Sequence, residues 1–299
     1  MKSPASYLLP AWLALAGAAW AQVEAPVVLT GTLQKARSTG AVTIAHRESS
    51  IPFSYLSARG EPIGYSIDLC KLLVDAISEE LGRTIAIKWQ LVTSESRIPA
   101  VMSGQVDLEC GSTTNNLERQ KQVSFSPTMF VSGTKLMVKR GSAIKSFRDL
   151  GGKTVVVTAG TTNQKAMEEI AKRFKLAFRI VVSPDHAQSF AQVVEGKADT
   201  FATDDVLLYG LIAGNMAQKD YEVIGEFLSY DPYGVMYRKG DAQLERLVND
   251  TFNALAEDGE IERQYKRWFL RKLPSGASID LPMSPQMETI LRTMATKPE

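Results

Sequence analysis

The side chains best able to do chemistry are concentrated between residues 107 and 119. An apolar, strand-like run ends at Gly111, and three hydroxyl residues and two amides precede a short helical stretch that carries Arg119. Hydroxyls, free backbone N–H groups and a guanidinium that converge beyond the end of a strand form a good receptor for a carboxylate. No nucleophile stands beside a base in this stretch. It therefore predicts that a small anion is captured and released unchanged.

Two further arginines, Arg47 and Arg97, stand in the same context as Arg119, each among Ser and Thr residues near the end of a strand-like run. A solvated arginine is the ordinary alternative for each, but the shared setting favours a bidentate clamp on a carboxylate. The turn at residues 158–162 is open to two interpretations. It could bind an anion at a helix N-terminus, or it could be an ordinary capping turn.

Asp204 follows another strand, and a carboxylate that faces a site rich in Arg suits an ammonium group. The alternative is an N-cap for the helix that begins at Asp205. His186 is more typical of a surface residue in the first turn of a helix than of a ligand contact. The chain has only two His and no Cys/His cluster, so we expect no metal, no cofactor and no catalytic residue. Acid–base chemistry by His46 or His186 nevertheless stays open.

Strands that alternate with helices predict an α/β fold with largely parallel sheets. The periodicity also predicts a helix from an N-cap at Ser66 to Leu81, ended by Gly82, and polar C-terminal residues that are loosely attached. A weak internal repeat aligns residues 101–107 with 193–199, and in this register Ser112 falls on Asp204. Taken at face value, it predicts two similar lobes with a cleft between their strand ends.

The balance of 34 Lys and Arg against 33 Asp and Glu argues against nucleic acid or an anionic membrane as a partner. Residues 1–21 have a basic start, an apolar stretch and a small-x-small end, and they predict a signal peptide cleaved after Ala21. An uncleaved anchor is the alternative. Cys70 and Cys110 could form a disulfide after export or remain two buried thiols.

Several blocks of the sequence resemble the glutamate/aspartate periplasmic binding proteins of bacterial ABC importers. The blocks are residues 46–55, 93–99, 109–120, 155–162 and 201–205. The resemblance implies an α/β periplasmic binding protein fold of type II, with two lobes joined by two hinge crossings and the ligand in the cleft between them. Lobe 1 would comprise residues 25–132 and 232–299, and lobe 2 would comprise residues 133–231. The implied protein is a periplasmic monomer that delivers L-glutamate or L-aspartate to membrane permease subunits.

The resemblance also implies three groups of ligand contacts. The group for the α-carboxylate is Arg119, Ser112, Thr114 and, from the other lobe, Thr162. The group for the side-chain carboxylate is Arg47, Arg97, Ser94 and His186. The ammonium group would contact Asp204.

Two other function classes fit the same fold, namely a periplasmic dehydratase and a sensory module that presents its ligand to a membrane receptor. The sequence does not choose between glutamate and aspartate.

Overall fold

The computed structural model describes residues 28–296. The predicted signal peptide lies outside these residues. Within them, no helix has both the length and the apolar character that a membrane span requires.

The strands are short and are spread along the whole described chain. They are β1 (Ala41–His46), β2 (Ser49–Ser50), β3 (Ser54–Leu56), β4 (Pro62–Ile63), β5 (Ala86–Leu91), β6 (Leu108–Glu109), β7 (Val123–Phe125), β8 (Phe130–Ser132), β9 (Thr134–Lys139), β10 (Thr154–Thr158), β11 (Arg179–Ser183), β12 (Thr200–Asp204), β13 (Tyr221–Ile224), β14 (Asp231–Tyr233) and β15 (Met236–Arg238).

The helices fall mostly between these strands, and a 3-10 turn (Phe147–Leu150) and a π turn (Lys266–Leu270) accompany them. The α-helices are α1 (Gly31–Thr39), α2 (Tyr65–Leu81), α3 (Arg97–Met102), α4 (Leu117–Gln120), α5 (Thr162–Phe174), α6 (His186–Val194), α7 (Asp205–Gly214), α8 (Ala242–Glu257), α9 (Glu260–Tyr265) and α10 (Pro285–Ala295).

Two five-stranded sheets share one arrangement. In the order β5-β1-β6-β15-β7, β1 is parallel to β5 and β6, and β15 is antiparallel to β6 and β7. In the order β11-β10-β12-β9-β13, β10 is parallel to β11 and β12, and β9 is antiparallel to β12 and β13. The predicted α/β class is confirmed. The prediction of largely parallel sheets is also confirmed, because four of the five strands in each sheet run in one direction and a single strand, β15 or β9, runs against them.

The internal repeat corresponds to one local structure that occurs in both sheets. The Asp107 N–H donates to Thr43 O at 2.8 Å, and the Asp107 carboxylate accepts from Thr43 N at 2.8 Å. Asp199 makes the same pair of bonds with Thr154, at 2.9 and 2.7 Å. Each Asp thus ties the turn after a helix to the second strand of its sheet, β1 or β10. It aligns the strand that follows with that second strand.

A two-stranded ribbon lies where the chain crosses between the sheets. β8 pairs antiparallel with β14, with Phe130 opposite Tyr233 and Ser132 opposite Asp231. The Phe130 ring stacks on Phe269 at a centroid distance of 4.9 Å. Phe130 and Phe269 belong to the core of the first sheet. This packing therefore attaches the ribbon to the first of two units, each unit being one five-stranded sheet with its helices.

Two local predictions around α2 have different outcomes. Gly82 ends the helix in the left-handed conformation, with φ of 61°, so that prediction is confirmed. Ser66 is not the N-cap: the cap position is Gly64, and the buried Ser66 hydroxyl donates instead to Gly111 O at 2.7 Å. Cys70 of α2 forms a disulfide with Cys110, with a Cα–Cα distance of 6.4 Å. Both links hold α2 against the stretch that follows β6.

The prediction of a loosely attached C-terminus is wrong for residues 285–295. Ser284 caps α10 by accepting from Met287 N at 3.2 Å, and Pro285 occupies the first turn, where it needs no hydrogen-bond donor. Met287 and Leu291 are buried in the core of the first unit. Apolar side chains four residues apart lie on one face of a helix, so the spacing of Met287 and Leu291 indicates an amphipathic helix.

We expect Leu291→Ala to lower the free energy of unfolding by about 2–5 kcal/mol, because it leaves a cavity in the core. Chemical denaturation measures the loss. Leu117→Ala makes the same change at a side chain that is 77% exposed and should have little effect. Equal effects of the two substitutions would mean that α10 is not part of the folded core.

Candidate functional site

A small cavity lies where strand ends of both sheets meet. Its lining residues follow β5, β6, β10 and β11 or lie at the junction of β12 with α7. They are Ser94, Arg97, Ser112, Thr114, Thr161, Thr162, Asn163, His186, Asp204 and Leu207. The cavity has a volume of about 10 Å³, which is close to the room that one water molecule needs. The two units are therefore in contact around the site.

Of the nine site residues predicted from the sequence, two do not line this cavity. Arg47 and Arg119 do not line the cavity, although both are buried. Arg47 lies close enough for its charge to act on His186 and Arg97. The other seven predicted residues line the cavity. All nine are buried except Thr162, which is partly exposed.

Four buried polar atoms around the site have no hydrogen-bond partner within the described residues. They are Arg47 Nη1, Ser94 Oγ, Arg97 Nε and Ser112 Oγ. Most buried polar atoms in folded proteins are hydrogen-bonded, because an unsatisfied one costs about 1–3 kcal/mol. Such a concentration of donors and hydroxyls is suited to an anionic group.

Arg119 bridges the two units. Its Nη1 donates to Thr114 O at 2.7 Å, and its Nη2 donates to Gly160 O at 3.4 Å in the turn after β10. Burial lowers the pKa of Arg119 to about 9, and the charge of Arg97 acts in the same direction. Burial and the Arg97 charge also lower the pKa of Arg47 to about 9. Further negative charge in the cleft would stabilise these guanidinium groups.

Thr114 and Thr162 meet across the same boundary. Their hydroxyl oxygens are 3.3 Å apart, and both donate to Asp231 Oδ1, at 3.0 and 2.8 Å. Asp231 begins β14 of the ribbon, so a residue of the crossing accepts hydrogen bonds from both sides of the cleft. The capping interpretation of the turn is confirmed, because the Thr161 hydroxyl accepts from Gln164 N at 3.2 Å.

Asp204 stands at the N-cap position of α7, but its side chain makes no capping hydrogen bond. It points into the site, where it accepts from Asn163 Nδ2 at 2.7 Å and from the Tyr233 hydroxyl. Burial, together with the neighbouring charge of Asp231, raises the pKa of Asp204 to about 8. A nearby cation would favour the carboxylate form, as the ammonium hypothesis requires.

His186 is buried, so the interpretation as a surface residue is wrong. Its Nδ1 lies 2.9 Å from Thr158 Oγ1. Burial, together with the charges of Arg47 and Arg97, holds the pKa of His186 well below its usual value. The ring is therefore neutral at pH 7, where it can donate one hydrogen bond and accept another.

Sequence reasoning missed a second set of buried polar residues that hold the first. Arg97 Nη1 donates to Thr113 Oγ1 at 2.7 Å, and Thr113 Oγ1 donates to Glu109 Oε2 at 2.6 Å. The remaining members are Asn163, Asp231 and Tyr233, all of them buried. Glu109 lies inside the stretch already singled out, and a charged residue in an apolar strand was its available signal. Thr113 is one of the three hydroxyl residues noted in that stretch, but its link to Glu109 was not predicted.

Comparison with known proteins agrees with this geometry. Residues 42–271 match the bacterial extracellular solute-binding proteins, family 3. The chain is 43% identical over 283 residues to the L-glutamate/L-aspartate-binding protein of Pseudomonas aeruginosa, covering 93% of this chain and 94% of that protein. It is 37% identical over 294 residues to the glutamate/aspartate import solute-binding protein of Escherichia coli, covering 98% and 97%.

A solved structure confirms the expected fold. An ancestral amino acid-binding protein, described as a precursor of cyclohexadienyl dehydratase, superposes with a TM-score of 0.69. It is 30% identical to this chain, and the match covers 80% of this chain and 99% of the ancestral protein.

We expect Asp204→Asn to stabilise the ligand-free protein near pH 8. The folded-state pKa is raised to about 8, so the contribution of Asp204 to stability is fully present below its unfolded pKa of about 4 and is lost as pH rises through about 8. The substitution removes this loss, and the Tyr233 hydroxyl can accept a hydrogen bond from the new amide.

Thermal unfolding across pH 4 to 9 measures the difference. The gap between Asp204→Asn and the unmodified protein should widen as pH rises and should close at the acidic end. Asp220→Asn, at an exposed position, should show no such trend. A gap that does not change with pH would contradict the assignment of Asp204 as a buried acid with a raised pKa.

Proposed function

Because the chain belongs to the bacterial extracellular solute-binding proteins, family 3, we propose that it binds an acidic amino acid, L-glutamate or L-aspartate, and delivers it to an ABC-type membrane permease. One observation carries the proposal. Three buried arginines surround a cleft that also contains the buried acid Asp204. The ligand that complements this set has two carboxylates and one ammonium group.

The proposed contacts assign one part of the ligand to each group of side chains. Arg119, Ser112, Thr114 and Thr162 hold the α-carboxylate. Arg47 and Arg97, with Ser94 and His186, hold the side-chain carboxylate. Asp204 accepts the ammonium group. In support, Ser94, Ser112, Arg47 and Arg97 each have a buried polar atom without a partner among the described residues.

The strength of binding follows from these contacts. Charge-assisted hydrogen bonds contribute roughly 1.5–3 kcal/mol each. Several of them, less the cost of ordering the ligand, make a dissociation constant of about 1 μM or lower physically reasonable. A neutral amino acid such as glutamine keeps the contacts to its α-carboxylate and ammonium but loses those to a second carboxylate. It should therefore bind more weakly.

Entry of the ligand requires the two units to separate, because a cavity of about 10 Å³ does not admit an amino acid. We propose that residues 25–132 with 232–299 form one lobe, that residues 133–231 form the other, and that they move about the β8–β14 ribbon. A ligand shifts the balance between open and closed forms only if it binds one form better. Contacts from both lobes supply that difference.

The same proposal places the protein in the periplasm, as a monomer, after cleavage of the signal peptide behind Ala21. Among relatives of this family, the names of the proteins from P. aeruginosa and E. coli specify glutamate and aspartate. Those proteins are named as binding and import proteins rather than as enzymes, which agrees with the expectation that the chain is not an enzyme.

We expect Arg119→Ala to abolish binding of every amino acid, because the α-carboxylate is common to all of them. Arg97→Ala should weaken glutamate and aspartate at least tenfold more than glutamine, since only the dicarboxylates lose a charge-assisted bond. Titration calorimetry with the three amino acids measures both effects.

Arg246→Ala serves as the control, because Arg246 is exposed and should leave all three affinities unchanged. Equal losses for glutamate and glutamine in Arg97→Ala would contradict its assigned role. No heat from the unmodified protein with either dicarboxylate would contradict the proposed function itself.

A further inference from the structure

Glu109 is a buried acid behind the cleft that the proposed ligand contacts do not use. It is the last residue of β6, and its side chain is fully buried. Oε2 accepts from Thr113 Oγ1 at 2.6 Å, while Oε1 has no hydrogen-bond partner within the described residues. A carboxylate in this position is costly unless positive charge compensates it. Its presence therefore has to be explained by its surroundings.

The positive charges around Glu109 are the three arginines of the site. Thr113 Oγ1 accepts from Arg97 Nη1 at 2.7 Å while it donates to Glu109, so one hydroxyl connects the guanidinium to the carboxylate. A Cβ atom built on Gly111 would lie 2.3 Å from Glu109 Oε1 and 3.1 Å from Arg47 Cγ. The absence of a side chain at Gly111 thus lets the carboxylate lie beside the stem of Arg47.

The negative charge of Glu109 acts on all three arginines in the same direction. It raises the pKa of Arg47, of Arg97 and of Arg119, against the lowering that burial imposes, and it is the largest favourable charge for each. Other acids act on fewer of them: Asp185 on Arg47, Asp231 on Arg119, and Asp204 on Arg97 and Arg119. Glu109 is therefore the counter-charge that the arginines share.

We propose that Glu109 sets the net charge of the cleft and thereby its selectivity for ligand charge, an inference that rests on the proposed function. Beside three guanidinium groups, the charge of Glu109 lowers the positive potential of the cleft, and Asp204 and Asp231 act in the same direction on fewer of the arginines. A lower positive potential weakens the attraction for each added negative charge of a ligand. Without Glu109, the cleft would favour ligands that are more negative than an amino acid.

The test is Glu109→Gln, which removes the charge and keeps an oxygen that can accept from Thr113. Affinities for L-glutamine, L-glutamate and glutarate, with net charges of 0, −1 and −2, are measured by calorimetry. For glutamine, we expect the ratio of the variant's affinity to that of the unmodified protein to stay near one. It should rise on the order of tenfold for each added negative charge of the ligand.

Two controls separate charge from structure. Glu118→Gln makes the same change at an exposed acid, and its ratios should stay near one for all three ligands. Thr113→Val breaks the connection between Arg97 and Glu109 without changing any charge, and it should weaken both dicarboxylates by a similar factor. If Glu109→Gln weakens all three ligands equally, or changes none of them, Glu109 does not set the selectivity and the inference is wrong.

The ligand-free protein distinguishes failure of this inference from failure of the proposed function. Loss of the shared counter-charge should lower the unfolding temperature of Glu109→Gln by several degrees more than that of Glu118→Gln. If the unmodified protein binds no acidic amino acid but this difference appears, the proposed function fails and the role of Glu109 as counter-charge stands. If the difference is missing, the inference fails even where glutamate binds.

Discussion

Burial of three guanidinium groups in one place is the constraint on which the rest of this structure depends. Each group loses much of its hydration, and like charges that share a dry site repel one another. The fold compensates with acceptors aimed at particular atoms: Thr113 Oγ1 for Arg97, and the carbonyl oxygens of Thr114 and Gly160 for Arg119. Glu109 adds a negative charge from behind. The compensation is incomplete, because Arg47 Nη1 and Arg97 Nε have no partner among the described residues. A polar ligand can complete it.

The two similar sheets explain how such distant residues meet. In both, an Asp fixes the turn after a helix to the second strand of the sheet, and Ser112 and Asp204 follow the respective Asp at the same spacing along the chain. Two sheets whose strand ends face each other bring these residues to one cleft, whereas a single sheet would hold only half of them. The β8–β14 ribbon lies where the chain crosses between the two sheets, and the packing of Phe130 on Phe269 attaches it to the core of the first.

Much of the candidate site was predictable from the sequence, because the types of its residues and their position after a strand indicate an anion site. A run of hydroxyls and an arginine after an apolar strand favour anion binding, and the resemblance of whole blocks supplied Ser94 and the ligand contacts expected of Thr162 and His186. The residues that were missed, such as Glu109, Asn163 and Tyr233, act through other side chains. Their importance depends on which atoms lie within about 3 Å, and sequence spacing does not encode that distance. Similarly, the burial of His186 depends on packing from both sheets. Of the two predicted caps of α2, the one at Gly82 is confirmed, because it requires only a left-handed backbone conformation. The one at Ser66 is wrong, because its hydroxyl donates to a carbonyl of a distant segment.

Binding and closure use the same atoms in this site. Thr114 and Thr162 come from opposite sides of the cleft, and both donate to Asp231, a residue of the ribbon itself. Arg119 likewise contacts a carbonyl on each side. A carboxylate that takes these donors would replace bonds within the protein by bonds to the ligand, so the net gain on closing is smaller than the sum of the new contacts. The contacts that the closed protein cannot satisfy alone, at Arg47, Arg97, Ser94 and Ser112, are the ones that favour the bound form. In the proposed mode of binding, the side chains that choose among ligands are thus largely those that a ligand must reach to hold the two units together.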